Sequence, residues 1–316
     1  MHTLTLALPL VTADDVVGPF SEFARDVATL DPVLLQLAVF AVLLGGVFAL
    51  AALGLTLIFG VMDVVNFAHG MLIVTGMYTV FFLTTTFGVN PFLAIPAAVA
   101  FLFVVGVVIS VTSIEPIIEA PQENQFIVTL GLTFILLAVI QIIFTGDPRS
   151  IALDLGRIDF YGALIPRGQL YALIIAVVAM AALWLFLQKT ELGTAIRATA
   201  DNRDGAWYVG INVPHIDHLT VGIGSALAGL AGSAIVIFSP FDPFIGESYL
   251  VKAFVIVVLG GLGSFPGALV GGLIVGFIQV FGGFYLPGTV NEVLIFVLFV
   301  LLLDLKPTGL FGAREA

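Results

Sequence analysis

Residues 34–59, LLQLAVFAVLLGGVFALAALGLTLIF, decide the fold class of this chain. The stretch contains no acidic or basic residue, and about 20 apolar residues suffice to cross a bilayer as a helix. A helix is favoured because it satisfies its own backbone hydrogen bonds in lipid. Further apolar runs lie near residues 67–87, 91–112, 126–145, 168–187, 216–239, 251–281 and 290–305. The sequence therefore predicts an all-α, polytopic integral membrane bundle with about eight or nine membrane segments.

Composition supports the lipid bilayer as the main surroundings of the chain. Of 316 residues, 60% are hydrophobic and 10% are charged, against roughly 25% charged in soluble domains. Cysteine is absent, which excludes disulfides, thiolate catalysis and cysteine-ligated metals. The net charge of −11 argues against nucleic acid as a partner. We hypothesise that the acidic excess reflects a halophile, since surface carboxylates keep proteins soluble at high salt.

Three regions are expected along the chain. Residues 1–32 form an acidic N-terminal extension, residues 33–306 a transmembrane domain, and residues 307–316 a C-terminal tail. The first twelve residues are apolar but lack a basic segment, so a cleaved signal peptide is not expected. A polar loop, residues 188–215, interrupts the transmembrane domain.

The apolar run 251–281 is too long for one membrane helix, because at about 1.5 Å per residue it would span roughly 46 Å. It also contains GGLGSFPG at residues 260–267, which a straight helix would not use. We expect two segments that meet at a tight break, the first of about twelve residues and re-entrant. The candidate path residues in this break are Gly260, Gly261, Gly263, Ser264 and Pro266.

A second interruption, VMDVVNFAHG at residues 61–70, places Asp63, Asn66, His69 and Gly70 between two apolar runs. Polar groups at membrane depth face a cavity or a partner helix, so a broken helix lining a solute path is one interpretation. An ordinary polar turn at the membrane surface is the other. Asp63 and His69 are six residues apart and share no helical face, which disfavours a metal site or an acid–base dyad. Paired interruptions in two halves of a chain favour a path between them.

The polar arm, residues 189–212, reads as two short helices. In the first, Leu192, Ile196 and Ala200 share one face. Asp201 can cap the second, from about residue 202 to 209, and Gly210 suits the left-handed position that ends it.

The second arm helix carries an apolar tip that contains Ala206, Trp207 and Tyr208. Such a tip can enter a groove on another protein. The alternative is a membrane-surface helix with Trp and Tyr at the interface. The chain has no GxxxxGK[ST], HExxH or GxSxG motif, so neither a nucleotide site nor an enzyme is expected. If ATP powers transport, the ATPase is another polypeptide.

Several co-linear motifs resemble one family, the LivH-type permeases of branched-chain amino acid ABC importers. LGLTLIFG at 53–60 and NFAHG at 66–70 resemble the first signature of that family. Leu192-Gly193, Arg197-Ala198 and GIN at 210–212 resemble its cytoplasmic coupling loop. VKAF at 251–254 and VLGGLGSFPGA at 258–268 resemble its third signature, and PTGLFG at 307–312 resembles its C-terminal tail.

The resemblance implies a multi-pass permease in the cell membrane that pairs with a second, LivM-like permease. Two cytoplasmic ATPases would drive the pair, and an extracytoplasmic binding protein would deliver the solute. ATP would be used by the partner subunits, with no cofactor in this chain. The arm and the C-terminus would be cytoplasmic, and the 251–281 region would start and end on one side. The coupling residues would be Arg197, Asp201, Ala206, Trp207, Tyr208, Gly210, Ile211 and Asn212.

One departure from the family pattern concerns the loop after the third span. The family typically carries arginines around a proline there, whereas this chain has IEPIIE at residues 114–119, with Glu115 and Glu119 around Pro116. Thr194 also replaces a common basic residue. Contacts made by those basic groups are therefore in doubt here.

The favoured function is the import of leucine, isoleucine or valine. Urea and short-chain amide permeases share these motifs, whereas sugar permeases fit them less well. A proton-coupled secondary transporter that uses Asp63 and His69 is an alternative of another class, and an intramembrane enzyme built on the same two residues is a third.

Overall fold

The computed structural model describes residues 13–29, 31–151, 153, 155–286, 288–306 and 308–312. The predictions for the first twelve residues, and for part of the C-terminal tail, lie outside the described residues. Within them the chain forms twelve α-helices. These are α1 Ala13–Thr29, α2 Pro32–Met62, α3 His69–Phe87, α4 Pro91–Ile109, α5 Gln122–Phe144, α6 Arg167–Lys189, α7 Glu191–Asp201, α8 Arg203–Tyr208, α9 Val213–Ile235, α10 Ile245–Gly260, α11 Phe265–Tyr285 and α12 Gly288–Leu305.

The all-α membrane fold is confirmed, although the described residues do not establish the full number of spans. Seven helices are long and apolar enough to cross a membrane: α2, α3, α4 with its extension, α5, α6, α9 and α11. The extension of α4 consists of a π-helical turn, Ser110–Ile114, and a 3-10 turn, Glu115–Ile117. Helix α10 has 16 residues, and the apolar part of α12 is Val293–Leu305.

A small hairpin was not predicted. Strands β1 Arg157–Phe160 and β2 Ala163–Pro166 pair antiparallel in the loop between α5 and α6. Tyr161 and Gly162 both have positive φ, at 52° and 87°, as two-residue hairpin turns require. The Gln36 side chain fixes the hairpin to the start of α2, since it donates to the Leu164 carbonyl and accepts from the Leu164 N–H.

Part of the predicted N-terminal extension is helix α1, which packs on the end of α11. The ring of Phe23 contacts those of Phe281 and Tyr285 at centroid distances of 6.4 and 5.4 Å. The Tyr285 hydroxyl donates to Asp26 at 2.9 Å. The ring contacts and the hydrogen bond to the buried Asp26 carboxylate fix α1 against the end of α11.

Helix α2 is the centre of the bundle and meets its neighbours through glycines. A Cβ added at Gly45 would lie 2.9 Å from the Gly272 carbonyl oxygen on α11. A Cβ at Gly54 would overlap the Gly224 carbonyl oxygen on α9. Small residues let membrane helices approach backbone to backbone, where dispersion and weak polar contacts replace the missing hydrophobic drive.

Contacts between chain segments define two faces of the bundle. On one, here called the arm face, Gly60 of α2 meets Gly263 before α11, and Arg203 of the arm bonds to Val61. On the other, here called the hairpin face, Gln36 meets the β-hairpin and α1 meets the end of α11.

Candidate translocation path and coupling arm

The predicted break in the 251–281 run is confirmed. Helix α10 ends at Gly260 and α11 begins at Phe265. Gly261 and Gly263 have φ of 101° and 77°, a region that favours glycine because it has no Cβ. The Ser264 hydroxyl accepts from the Gly267 N–H at 3.1 Å and caps α11, and Pro266 sits in the first turn, where its missing N–H costs nothing.

The C-terminal tail packs against this break through backbone hydrogen bonds, a contact that the sequence did not indicate. The backbone N–H groups of Leu310 and Phe311 donate to the carbonyls of Leu259 and Gly260 at 2.8 and 2.9 Å. Carbonyls at a helix C-terminus have no partner within the helix. The tail therefore satisfies two backbone groups at the end of α10.

The two interruptions of the sequence are in contact at one point, where Gly60 at the end of α2 lies against Gly263 before α11. A Cβ on Gly60 would lie 2.8 Å from the Gly263 Cα. His69 lies back toward the middle of α2, because its Nε2 donates to the Ala51 carbonyl at 2.8 Å. Helix α3 thus begins beside the middle of α2 and not at its end.

Asn66 and His69 are fully buried within this chain. The Asn66 Oδ1 accepts from the Ala68 N–H at 3.0 Å, and its carbonyl accepts from the His69 N–H at 3.1 Å. The Asn66 Nδ2 and the His69 Nδ1 find no hydrogen-bond partner among the described residues. Both side chains shape the start of α3, and their lining of a solute path stays a prediction.

The other two residues of the first break differ in exposure. Asp63 is exposed and ends α2 with a left-handed φ of 55°, as in a polar turn. Gly70 is buried, and a Cβ there would overlap the Gly246 carbonyl oxygen of α10. The first turn of α3 and the start of α10 are therefore in backbone contact.

The polar arm forms two helices, α7 and α8, as predicted, but the predicted cap of the second helix is wrong. The cap of α8 is Asn202, whose Oδ1 accepts from the Gly205 N–H at 2.7 Å; Asp201 is the last residue of α7. Extended backbone at Asn202, with φ of −161°, separates the helices and orients this side chain for capping.

The buried face of α7 coincides only at Ile196 with the face that carries Leu192, Ile196 and Ala200. Gly193, Ile196 and Thr199 are buried, whereas Leu192 and Ala200 are exposed. Gly193 sets this orientation, because a Cβ there would overlap the Phe186 carbonyl oxygen at the end of α6. The close turn between α6 and α7 therefore chooses which face of α7 meets the bundle.

The predicted end of the second arm helix is confirmed. Gly210 has φ of 89°, its N–H donates to Trp207, and the Ile211 N–H donates to Ala206, each at 3.0 Å. This pair of bonds is the Schellman arrangement that satisfies the last helical carbonyls. Asn212 then caps α9 by accepting from the His215 N–H at 3.2 Å.

The tip of α8 is exposed and aromatic. Trp207 and Tyr208 are 61% and 86% exposed, and Val209 is 77% exposed. Ala206, expected in the same tip, is buried against the bundle at 3% exposure. One side of α8 therefore holds the arm to the membrane domain while the other presents rings to the surroundings.

Two arginines hold the arm in place, of which only Arg197 was among the predicted coupling residues. The Arg197 Nε donates to the Leu187 carbonyl at the end of α6, at 3.0 Å. Arg203 donates to both carboxylate oxygens of Asp217 on α9, at 3.0 and 2.7 Å, and to the Val61 carbonyl on α2 at 3.1 Å. Asp217 is the one acidic residue of the membrane-spanning helix α9 and is buried, a signal that could have located the pair.

The surface beside α8 is acidic, in agreement with the missing arginines. A cavity of about 340 Å³ is lined by Glu115, Glu119, Asp204 and His218, among others. The His218 Nδ1 lies 3.0 Å from the Ser110 hydroxyl, and its Nε2 lies 3.7 Å from the Glu115 carboxylate.

A helical bundle with seven long apolar helices, a broken segment and a polar arm on one face defines a multi-pass membrane protein. A model of the family described as "Branched-chain amino acid transport system / permease component" matches residues 37–303. The chain belongs to this family, whose members are transport permeases and not enzymes.

Named relatives cover most of the chain. The high-affinity branched-chain amino acid transport system permease protein LivH of Escherichia coli is 32% identical over 87% of this chain and 94% of its own length. BraD of Pseudomonas aeruginosa is 29% identical over 89% and 96%. The ribose import permease protein RbsC of Escherichia coli is 30% identical over 60% and 61%. No solved structure matches the chain.

Proposed function

We propose that this chain is the permease subunit of an ATP-binding-cassette importer for branched-chain amino acids. The single observation that carries the coupling role is α8, which is anchored by the Arg203–Asp217 ion pair and exposes the rings of Trp207 and Tyr208 beside that anchor. The LivH and BraD names support the solute. The family description, one component of a transport system, supports the presence of partner subunits.

The partners in this proposal are a second, LivM-like permease, two cytoplasmic ATPases and an extracytoplasmic binding protein. ATP is used by the ATPases, and this chain needs no cofactor of its own. Residues 33–306 act as the permease domain, with 1–32 as an acidic extension and 307–316 as a tail. The arm face is cytoplasmic and the hairpin face is external.

Nine membrane segments are consistent with these faces. Besides the seven long helices, the other two segments are α10, which begins at middle depth where Gly246 meets Gly70 and ends at the arm face, and α12, which returns the chain from the end of α11 to the tail. Helix α11 runs from the arm face back to the hairpin face, so α10 and α11 form a re-entrant pair.

In the mechanism that follows, closure of the ATPases on ATP moves α8. Because Arg203 joins α8 to both α2 and α9, a displacement of the arm reaches two helices of the bundle at once. Helix α2 in turn contacts the α10–α11 break through Gly60 and Gly263. A rigid-body shift of this kind exposes the solute path alternately to the two sides.

The proposal is tested by purifying the tagged chain from its native membrane, identifying the co-purifying ATPases and binding protein, and reconstituting them in liposomes. We expect leucine uptake that requires ATP and both ATPases. Leucine uptake by this chain alone under a pH gradient would instead establish a secondary transporter. Uptake of urea or acetamide in place of leucine would change the assigned solute.

A further inference from the structure

Helix α10 carries two opposite charges at the middle depth of the bundle. The Lys252 Nζ lies 5.8 Å from the centroid of the Phe48 ring, and Phe48 is near the centre of α2. Glu247 follows Gly246, which contacts Gly70 at the start of α3. That start lies beside Ala51 of α2, as the His69 hydrogen bond shows.

Both charged residues line one open cavity of about 310 Å³, together with Ser248, Phe244, Val251 and Phe296. The Lys252 ammonium donates to the Ser248 hydroxyl at 2.7 Å. This bond places the ammonium along the α10 surface that forms the cavity wall. The volume is at the lower end of the range for small-molecule sites.

An apolar groove of about 430 Å³ adjoins this cavity and shares Phe244, Glu247 and Val251 with it. Its other walls are mainly aromatic and aliphatic, and include Phe67, Met71, Phe126, Phe134 and Leu250. A polar region with both charge signs thus lies next to a region suited to an apolar side chain.

Lipid is an unfavourable neighbour for this surface. A charged side chain at the bilayer centre costs about 2.5–3.5 kcal/mol on insertion scales, and Glu247 is exposed on this chain. The cavity must therefore face water or protein in the assembled transporter. In the assembly proposed above, the second permease closes its open side.

We propose that Glu247 and Lys252 bind the backbone of a zwitterionic amino acid in transit, and that the adjoining groove receives its apolar side chain. The Glu247 carboxylate accepts from the α-ammonium of the solute, and the Lys252 ammonium donates to its α-carboxylate. An uncharged solute such as urea would not need this pair. The assignment rests on the proposed function for its ligand.

Neutralisation tests the pair in the full complex of permeases, ATPases and binding protein. Glu247→Gln and Lys252→Met are each expected to lower leucine uptake at least about tenfold, as the loss of a charge-assisted hydrogen bond predicts. Assembly and basal ATP hydrolysis should not change. Glu22→Gln and Arg25→Met, which remove one charge of each sign from exposed positions on α1, are the matched controls and should leave uptake intact.

Charge restoration separates binding from packing, and because this chain has no cysteine, each variant has a single thiol in this subunit. In Glu247→Cys, a thiosulfonate that carries a sulfonate should restore uptake, and in Lys252→Cys one that carries an ammonium should do so. The reagent of opposite charge should fail at each position, and leucine with ATP should slow the labelling. Val178→Cys, on an apolar exposed face of α6, should not react with either reagent.

Normal leucine uptake by both neutralised variants would overturn this assignment and leave the proposed function standing. So would absence of labelling at both cysteines, or loss of subunit assembly in both neutralised variants, which would make the pair structural. A wild-type complex that imports no leucine would overturn the proposed function itself, and with it the ligand named here.

Discussion

Arg203 and Asp217 form a bidentate ion pair, with N–O distances of 3.0 and 2.7 Å. The pair joins the short arm helix α8 to the membrane-spanning helix α9. The same guanidinium donates to the Val61 carbonyl. One side chain thus connects three helices, and the planar fork of arginine suits this geometry in a way that a lysine ammonium does not.

Arg203→Lys should uncouple the transporter without detaching the ATPases. It keeps the charge but loses the fork, at a cost of about 1 kcal/mol for a partly exposed pair. We expect fewer leucine molecules imported per ATP hydrolysed, measured in proteoliposomes, with unchanged ATPase association. Arg157→Lys on the exposed hairpin is the control. An unchanged transport ratio in Arg203→Lys would show that the pair only stabilises the fold.

Trp207→Ala and Tyr208→Ala should weaken binding of the ATPases. Buried aromatic anchors at interfaces contribute about 2 kcal/mol or more, which is roughly a 30-fold change in Kd. The measurement is a titration of detergent-solubilised permease with purified ATPase. Trp184→Ala, at the other tryptophan of the chain and 49% exposed on α6, should bind normally. Equal affinity for all three variants would favour a membrane-surface helix.

Gly210→Ala should loosen the end of α8. A left-handed backbone costs a residue with a Cβ about 1–2 kcal/mol, and nothing lies within 4 Å of the added atom, so the cost comes from φ alone. We expect faster limited proteolysis of the arm and weaker coupling. Gly88→Ala, with a positive φ of 66° and equally open space, should cost similar stability but leave coupling intact. Identical coupling in the two variants would contradict this prediction.

Gly54→Ala should destabilise the whole bundle. The new Cβ would overlap the Gly224 carbonyl and lie 3.0 Å from the His69 Cε1, and overpacking of this kind costs about 1–3 kcal/mol. Thermal unfolding in detergent should show a lower Tm. Gly131→Ala on α5, where nothing lies within 4 Å, should keep or raise the Tm. A wild-type Tm for Gly54→Ala would mean that α2 and α9 can separate without loss of stability.

The sequence supplied the membrane class, the break after α10 and the end of α8, because each depends on a local property. Apolar length predicts a span, and the glycines and the proline between Gly260 and Pro266 disfavour a continuous helix. Gly210 adopts a positive φ, which few other residue types adopt without strain. These features need no knowledge of what lies across the bundle.

The remaining features depend on tertiary contacts. Asp201 and Asn202 are both good capping residues, and only the extended backbone at Asn202 decides between them. Ala206 and Trp207 are neighbours in sequence, yet the docking of α8 buries one and exposes the other. The contacts of Arg203 require α2, α8 and α9 to be assembled, so spacing alone could not reveal them.

The glycine contacts of α2 have a consequence for motion. Where Gly45, Gly54 and Gly60 meet Gly272, Gly224 and Gly263, backbone approaches backbone, and the side chains of Leu273, His69 and Ile58 pack beside these contacts. Interlocked side chains would have to change rotamer before two helices could slide past each other. Because a contact between two glycine backbones adds no rotamer change of its own, we expect the bundle to move by shear, with neighbouring helices sliding along α2.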